Sequence, residues 1–208
     1  METGSKVQGG QDAGSAFDQM ETAPVIRRPA REDAIALARA HFLAGERVEM
    51  QTVAAELDIG RTTLYRWVGE RDQLLEEVFA RLVDEWFVEV LPRAKGSGTE
   101  RLLDIMRRFL EFAAASTPLS EFAAREPALT MRLLLDREGM IAARVKFAVR
   151  VLLAENAADL EVPENIIDAI EMTAAALVWA NIAIGRQPDI DGAIGLTETL
   201  LGVCEARS

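Results

Sequence analysis

Between Arg61 and Trp67 the chain reads RTTLYRW, and the polar groups of that run suit nucleic acid. Arg61 and Arg66 can reach phosphate oxygens or guanine edges, Thr62 and Thr63 can meet phosphates or thymine methyls, and Tyr65 offers a phenolic donor. No acid stands between Arg61 and Trp67, where a single carboxylate would repel a duplex. Catalytic chemistry is far harder to assemble. His41 is the only histidine and Cys204 the only cysteine, so no Ser/His/Asp set, thiol–imidazole pair or metal-ligand spacing is available, and there is no Gly-rich phosphate loop. Glu76 and Glu77 form a carboxylate pair on the solvent-facing part of a helix. No catalytic residue, metal or cofactor is therefore expected. His41 reads as a packing or rim residue, and Cys204 as a small packed side chain.

The elements that must hold this run are short. Val53, Ala54 and Leu57 make an apolar stripe that ends a helix beginning near Met50. Asp58-Ile59-Gly60 breaks the period; Gly60 relaxes the turn and Ile59 points inward. The next helix carries Leu64 as its clearest inward contact. This is the pattern of a helix-turn-helix, whose second helix lies in the major groove. Thr52 and Gly60 belong to the same surface. The competing reading is a solvated Arg/Thr helix that packs through Leu64 and touches nothing. Before the unit, Arg27, Arg28 and Arg31 cluster ahead of a helix from Arg31 to Ala44 with Ile35, Leu37, Ala38 and Phe42 inward. After it, a helix from Asp72 to about Leu91 takes Asp72 as its N-cap and carries two apolar stripes. Two stripes imply two packing partners.

The stretch VAAELDIGRTTLYRWVGERDQL resembles the DNA-binding segment of the TetR family of bacterial transcription regulators. Ala54, Leu57, Ile59, Thr63, Leu64, Tyr65, Arg66, Trp67, Arg71 and Leu74 stand on matching positions. Three positions depart: Asp58 stands where the family usually has Gly, Gly60 where it usually has Ser or a similar cap, and Val68 where Phe is typical. The resemblance implies a double-stranded DNA operator and a small-molecule effector as partners, and a two-fold dimer formed by the C-terminal helices. It also implies that Arg28 and Arg31 touch the DNA backbone or minor groove, and that Arg71 contacts a phosphate.

The remainder reads as helix throughout, so the expected fold is all-α. The expected division is a disordered tail (1–24), a helix-turn-helix domain (25–71) and a ligand-binding and dimerisation domain (72–208). Net charge is −11, and its distribution is uneven. Residues 25–81 carry nine Arg against ten acids, net −1, whereas residues 82–208 carry thirteen cations against twenty acids, net −7. The acid sits mostly outside the DNA-reading segment, as expected if one end meets DNA. The N-terminus lacks an apolar signal core, and the weakly charged run from Met172 to Gly185 is too short for a bilayer that needs ~20 apolar residues. A cytoplasmic protein without a membrane partner is expected.

Downstream helices are expected to start at Thr99, Pro118, Pro127, Met140 and Pro163, and at Asp191 as a cap. The helix Glu164–Gly185 has apolar residues on two sides, which suggests a partner chain. Candidate effector contacts are the bulky residues Trp86, Met106, Phe109, Phe112, Phe122, Met140, Phe147, Met172 and Trp179, together with polar Glu171 and Asn181. Asn181 has an even choice between a ligand and a partner within the protein. The C-terminal region also resembles QsdR-type regulators of quorum-sensing lactone degradation, which implies a γ-lactone or an N-acyl homoserine lactone as effector. The competing function is a helical interaction module with a weak or vestigial DNA-binding head.

Overall fold

Ala34, Ile35, Ala38 and Phe42 are closed off from solvent, which makes them the inner face of the first helix, α1 (Arg31–Leu43). The computed structural model describes residues 28–206. The tail 1–24 and Arg27 lie outside the described residues. The first turn of α1 is closed by Asp33, whose Oδ2 accepts the Ala30 amide at 2.7 Å.

Helices α2 (Met50–Glu56) and α3 (Arg61–Val68) follow, joined by Leu57-Asp58-Ile59-Gly60. The turn corrects one expectation. The residue with positive φ is Asp58, at +51°, whereas Gly60 is extended at φ −68° and serves as the N-cap of α3. Asp tolerates the left-handed region better than most residues, because its short side chain adds little crowding. The position where the TetR family usually has Gly is thus the strained one. A second left-handed turn, Gly69 at φ +71°, joins α3 to α4 (Arg71–Val90). A Cβ at Gly69 would fall on Gln73 Oε1, the atom that accepts the Glu70 amide at 2.8 Å and closes the first turn of α4.

Beyond α4 come a 3₁₀ turn (Leu91–Arg93), α5 (Gly98–Ala114), α6 (Thr117–Arg125), α7 (Pro127–Leu135) and α8 (Met140–Asn156). The chain then enters α9 (Glu164–Ala174), which passes through a π turn (Ala175–Trp179) into α10 (Ala180–Ala183), and ends in α11 (Ile190–Glu205). No strand is present among the described residues.

The expected helices are all found, but several boundaries move. Glu70, not Asp72, precedes α4; Asp72 lies in its first turn and pairs with Arg132. Ser97 and Gly98 precede Thr99 at the start of α5. Asp189 caps α11 by accepting the Gly192 amide at 2.9 Å, while Asp191 lies in the first turn and meets Arg107 at 2.5 Å. Asp72 and Asp191 thus sit in the first turn of their helices, just inside the acids Glu70 and Asp189 that stand at the caps. They still favour the helix start, since exposed N–H groups there attract negative charge.

One continuous core runs from Ala34 on α1 to Leu201 on α11. Helix α4 is its spine. It packs against α1 at one end and against α5 and α8 along its length, which uses both of its apolar stripes. Phe42, Phe79 and Phe122 form a cluster of edge-on rings with centroids 4.9 to 5.9 Å apart, so α1, α4 and α6 meet there. The helix Glu164–Ala183 corrects another expectation, since by length and composition it is apolar enough to cross a bilayer. Half of it is buried within the fold against α7, α8 and α11, so packing against the protein accounts for its apolarity.

Candidate DNA-reading surface and effector cavity

Helix α3 is anchored from below by Leu64 and Val68, both buried. That leaves Arg61, Thr62, Tyr65 and Arg66 exposed, with Thr63 half-buried beside them. Thr52 on α2 and Gly60 at the start of α3 are exposed next to this face. Neither Arg61 nor Arg66 makes an ion pair among the described residues, although most of the other arginines do. These two cations are therefore available to an outside anion. Arg28 is exposed at the beginning of the described chain.

Two of the expected DNA contacts have other occupations. Arg31 donates from Nε to the Trp67 carbonyl at 2.9 Å and from Nη1 to Glu77 Oε1 at 2.8 Å. It thereby ties α1 to the end of α3 and to α4, and holds the exposed helix at a set angle. Burial would push the Glu77 carboxyl up, but hydrogen bonds from Arg31 and Arg81 outweigh it and hold the group below its ordinary range. Arg71, expected at a phosphate, is turned inward instead. Its Nη1 and Nη2 each donate to Glu126 at 2.7 Å, and its Nε donates to the Val48 carbonyl at 2.6 Å. The hydrogen bonds from Arg71 hold the Glu126 carboxyl below its usual range, and those to Glu126 raise Arg71 in turn. Glu126 stands between α6 and α7, so this bidentate pair ties the start of α4 and the Val48 loop to those two helices. Sequence spacing could not reveal it, because the partners are 55 residues apart.

His41 lies at the rim, as its position suggests, with Nδ1 2.5 Å from Glu46 Oε2. Its Nε2 is buried 3.1 Å from Glu56 without hydrogen-bond geometry. Among the described residues no group of three or more His, Cys, Asp or Glu side chains is placed to hold a metal.

Between α4 and the helices that follow it, two cavities of about 20 Å³ each adjoin, with Phe109, Val145 and Trp179 forming the partition. Trp86, Phe79 and Ile141 line the first; Phe87, Met106, Ile170 and Glu171 line the second. Phe109 stacks on Phe87 with centroids 4.0 Å apart and meets Trp179 edge-on at 6.3 Å. Of the expected effector contacts, the structure brings together Trp86, Met106, Phe109, Glu171 and Trp179. It does not gather the others. Phe122 fills the ring cluster against Phe42 and Phe79, which is core packing. Phe112 leans on the outer edge of Trp86 and is itself exposed. Met140 and Met172 are each 43 % exposed and Phe147 is 56 % exposed, because their helices turn these positions away from the core. Asn181 is spent locally, since Nδ2 donates to the Leu177 carbonyl at 2.7 Å. Phe87 and Val145 also line these walls; Phe87 follows Val83 by one helical turn on the cavity side of α4, and that spacing is the signal that places it there.

Glu171 is the one charged side chain on these walls. It is buried, and that burial pushes its carboxyl up, with partial relief from Lys146 and Arg137.

Residues 97–202 match the family described as the tetracyclin repressor-like C-terminal domain. Among solved structures, the transcriptional repressor QsdR of R. erythropolis, from the TetR family, is 30 % identical, with 83 % of this chain and 94 % of that chain covered at a TM-score of 0.77. The TetR family repressor AlkX from a Dietzia species, implicated in biodegradation of n-alkanes, is 21 % identical over 86 % of this chain and 98 % of its own, at a TM-score of 0.59, which speaks for the fold alone. Comparison with curated protein sequences returns no match. The family match across the second half and the similarity to QsdR over most of both chains lead to one conclusion: this chain belongs to the TetR family of transcriptional regulators.

Proposed function

We propose that this protein is a dimeric repressor that holds a pseudo-palindromic operator and releases it when a small, largely apolar effector binds. The observation that carries the reading is the outer face of α3, where Arg61 and Arg66 stand exposed without ion pairs beside Thr62 and Tyr65. In this reading residues 25–71 are the reading head and residues 72–208 the effector and dimer unit. Thr52, Gly60, Arg61, Thr62, Thr63, Tyr65 and Arg66 meet the DNA, Arg28 reaches the adjacent backbone, and Arg31 fixes the angle of α3. Such a protein works in the cytoplasm, where the chromosome is.

The dimer reading rests on exposed apolar residues of the last helices. Met172, Ile184, Leu196 and Val203 are 43 to 55 % exposed. Gly195 and Gly202 have open space around them, which permits close approach of a second copy. A symmetric dimer then presents two α3 helices to two half-sites.

For the effector, the aromatic cavity is the natural seat. Cavities of about 20 Å³ are far below the roughly 300 Å³ of an ordinary ligand site, so binding must part Phe109 and Trp179. Because α4 lines the cavity and also carries Arg71, parting the walls shifts the reading head. A differential effector affinity of a few kcal/mol between the two states suffices to empty the operator. Acyl lactones, both γ-lactones and N-acyl homoserine lactones, are the class to test first, on the resemblance set out above.

The test is fluorescence anisotropy of the purified full chain on DNA from upstream of its own gene, titrated with acyl lactones. The expected result is tight, salt-dependent binding that is lost as lactone is added. Tight binding indifferent to every lactone would keep the repressor and discard the lactone class. Absence of binding at low salt would overturn the reading in favour of a helical interaction module.

A further inference from the structure

The cavity beside α9 contains a single charged side chain among aromatic and aliphatic walls, and that side chain has no hydrogen-bond partner among the described residues. Glu171 is 6 % exposed and faces Met106, Phe109 and Trp179. Its carboxyl makes no hydrogen bond or ion pair among the described residues. The neighbouring cation Lys146 is committed to Asp168 at 3.2 Å, and Arg137 is exposed. Buried polar groups are nearly always satisfied, so an acceptor left open at a cavity wall marks where a bound molecule donates.

The backbone supplies a second, independent observation. Glu171 and Trp179 are eight residues apart, which in an unbroken α-helix puts them roughly 80° apart around the axis. The π turn over Ala175–Trp179 inserts one residue and reduces that angle to roughly 20°. Carboxyl and indole are thereby brought to the same cavity wall, as both are found there. A π turn costs regular helix geometry, and such turns concentrate at functional sites.

We propose that Glu171 is the polar anchor of the effector, accepting a hydrogen bond from an N–H group on a molecule whose remaining surface is apolar. This rests on the effector-released repressor reading above and narrows its chemistry. A plain γ-lactone carries only acceptors and leaves the carboxylate unpaired. An amide N–H, as in an N-acyl homoserine lactone, satisfies it, and so does an ammonium, which the faces of Phe87, Phe109 and Trp179 also favour.

The experiment is titration calorimetry on the full chain with three probes that each carry an eight-carbon chain: N-octanoyl homoserine lactone, γ-dodecalactone and octylamine. Wild type is expected to bind at least one N–H probe about 10- to 100-fold more tightly than γ-dodecalactone, and Glu171→Leu to erase that preference. Glu171→Gln separates the sources: its carbonyl still accepts from the amide but gives no charge to the amine. Both variants remove a buried charge, so their thermal midpoints should equal or exceed that of wild type, which controls for folding. Equal binding of all three probes, or an N–H preference that survives Glu171→Leu, would overturn the anchor while leaving the effector-released repressor intact. Binding of γ-dodecalactone alone would do the same. Failure of every probe to bind wild type would overturn the anchor, and the repressor would then stand or fall on its own DNA-binding test.

Discussion

Glu126→Gln removes one charge and leaves shape almost unchanged, so it isolates the pair that ties the start of α4 to the junction of α6 and α7. In the native protein both side chains are about 18 % exposed, and Arg71 makes two 2.7 Å bonds to the carboxylate. Gln can accept one of them, but its amide then faces a guanidinium N–H. Breaking a fully buried pair costs about 3–5 kcal/mol, and a hydrogen bond to a charged group is worth about 1.5–3 kcal/mol. At this residual exposure the expected loss is about 2–3 kcal/mol, or roughly 4–12 °C in Tm for a chain of this size. The assay is a double-mutant cycle of Glu126→Gln and Arg71→Met by chemical denaturation. Because Glu126 titrates below its ordinary value near 4.5, the pair's contribution is complete above that pH and is lost as pH falls through the native value. The gap between wild type and Glu126→Gln should therefore be constant near neutrality and close in acid. A coupling under about 0.5 kcal/mol, within the range of ordinary surface pairs, would refute the latch. Arg71→Met should also leave the salt dependence of operator binding unchanged; a slope shallower by about 0.9 would put Arg71 on a phosphate after all.

Three further outcomes follow from the same geometry. Asp58→Gly relieves a left-handed aspartate and should stabilise the protein by about 1 kcal/mol in denaturant unfolding; a loss of stability would show that the Asp58 side chain earns its place in the turn. Tyr65→Ala and Arg66→Ala should each abolish operator binding in anisotropy while far-UV circular dichroism stays native, and retained binding in both would mean that α3 is not the helix in the groove. Leu196→Glu places a charge on an exposed apolar stripe, so sedimentation should show a folded monomer, and an unchanged dimer would move the interface off α11.

Much of the fold was legible because helices are local. The stripe Val53-Ala54-Leu57, the break at Asp58 and the inward Leu64 follow from 3.6-residue spacing alone, and they place Arg61, Thr62, Tyr65 and Arg66 outside before any tertiary contact is known. Helix ends were less legible, because a cap is chosen by backbone angle. Asp72, Thr99 and Asp191 have capping chemistry, yet each lies within a first turn.

Long-range pairing decided the rest. Arg71 looks like a phosphate contact in sequence, and only the approach of Glu126 across 55 residues turns it inward. Bulk did not distinguish Phe109 and Trp179, which line a cavity, from Phe147 and Met172, which face outward. Asn181 and Glu171 were equal as polar residues in an apolar helix. The first is satisfied by the carbonyl one turn back, whereas the second is carried to a cavity wall alongside Trp179 by a π turn that no periodicity announces. Composition and spacing determined that this is a helical protein whose α3 turns Arg61, Thr62, Tyr65 and Arg66 outward, since those properties depend on neighbours along the chain. Which polar groups are spent inside and which remain free for a ligand was decided by the tertiary structure, since satisfaction of a buried group depends on neighbours in space.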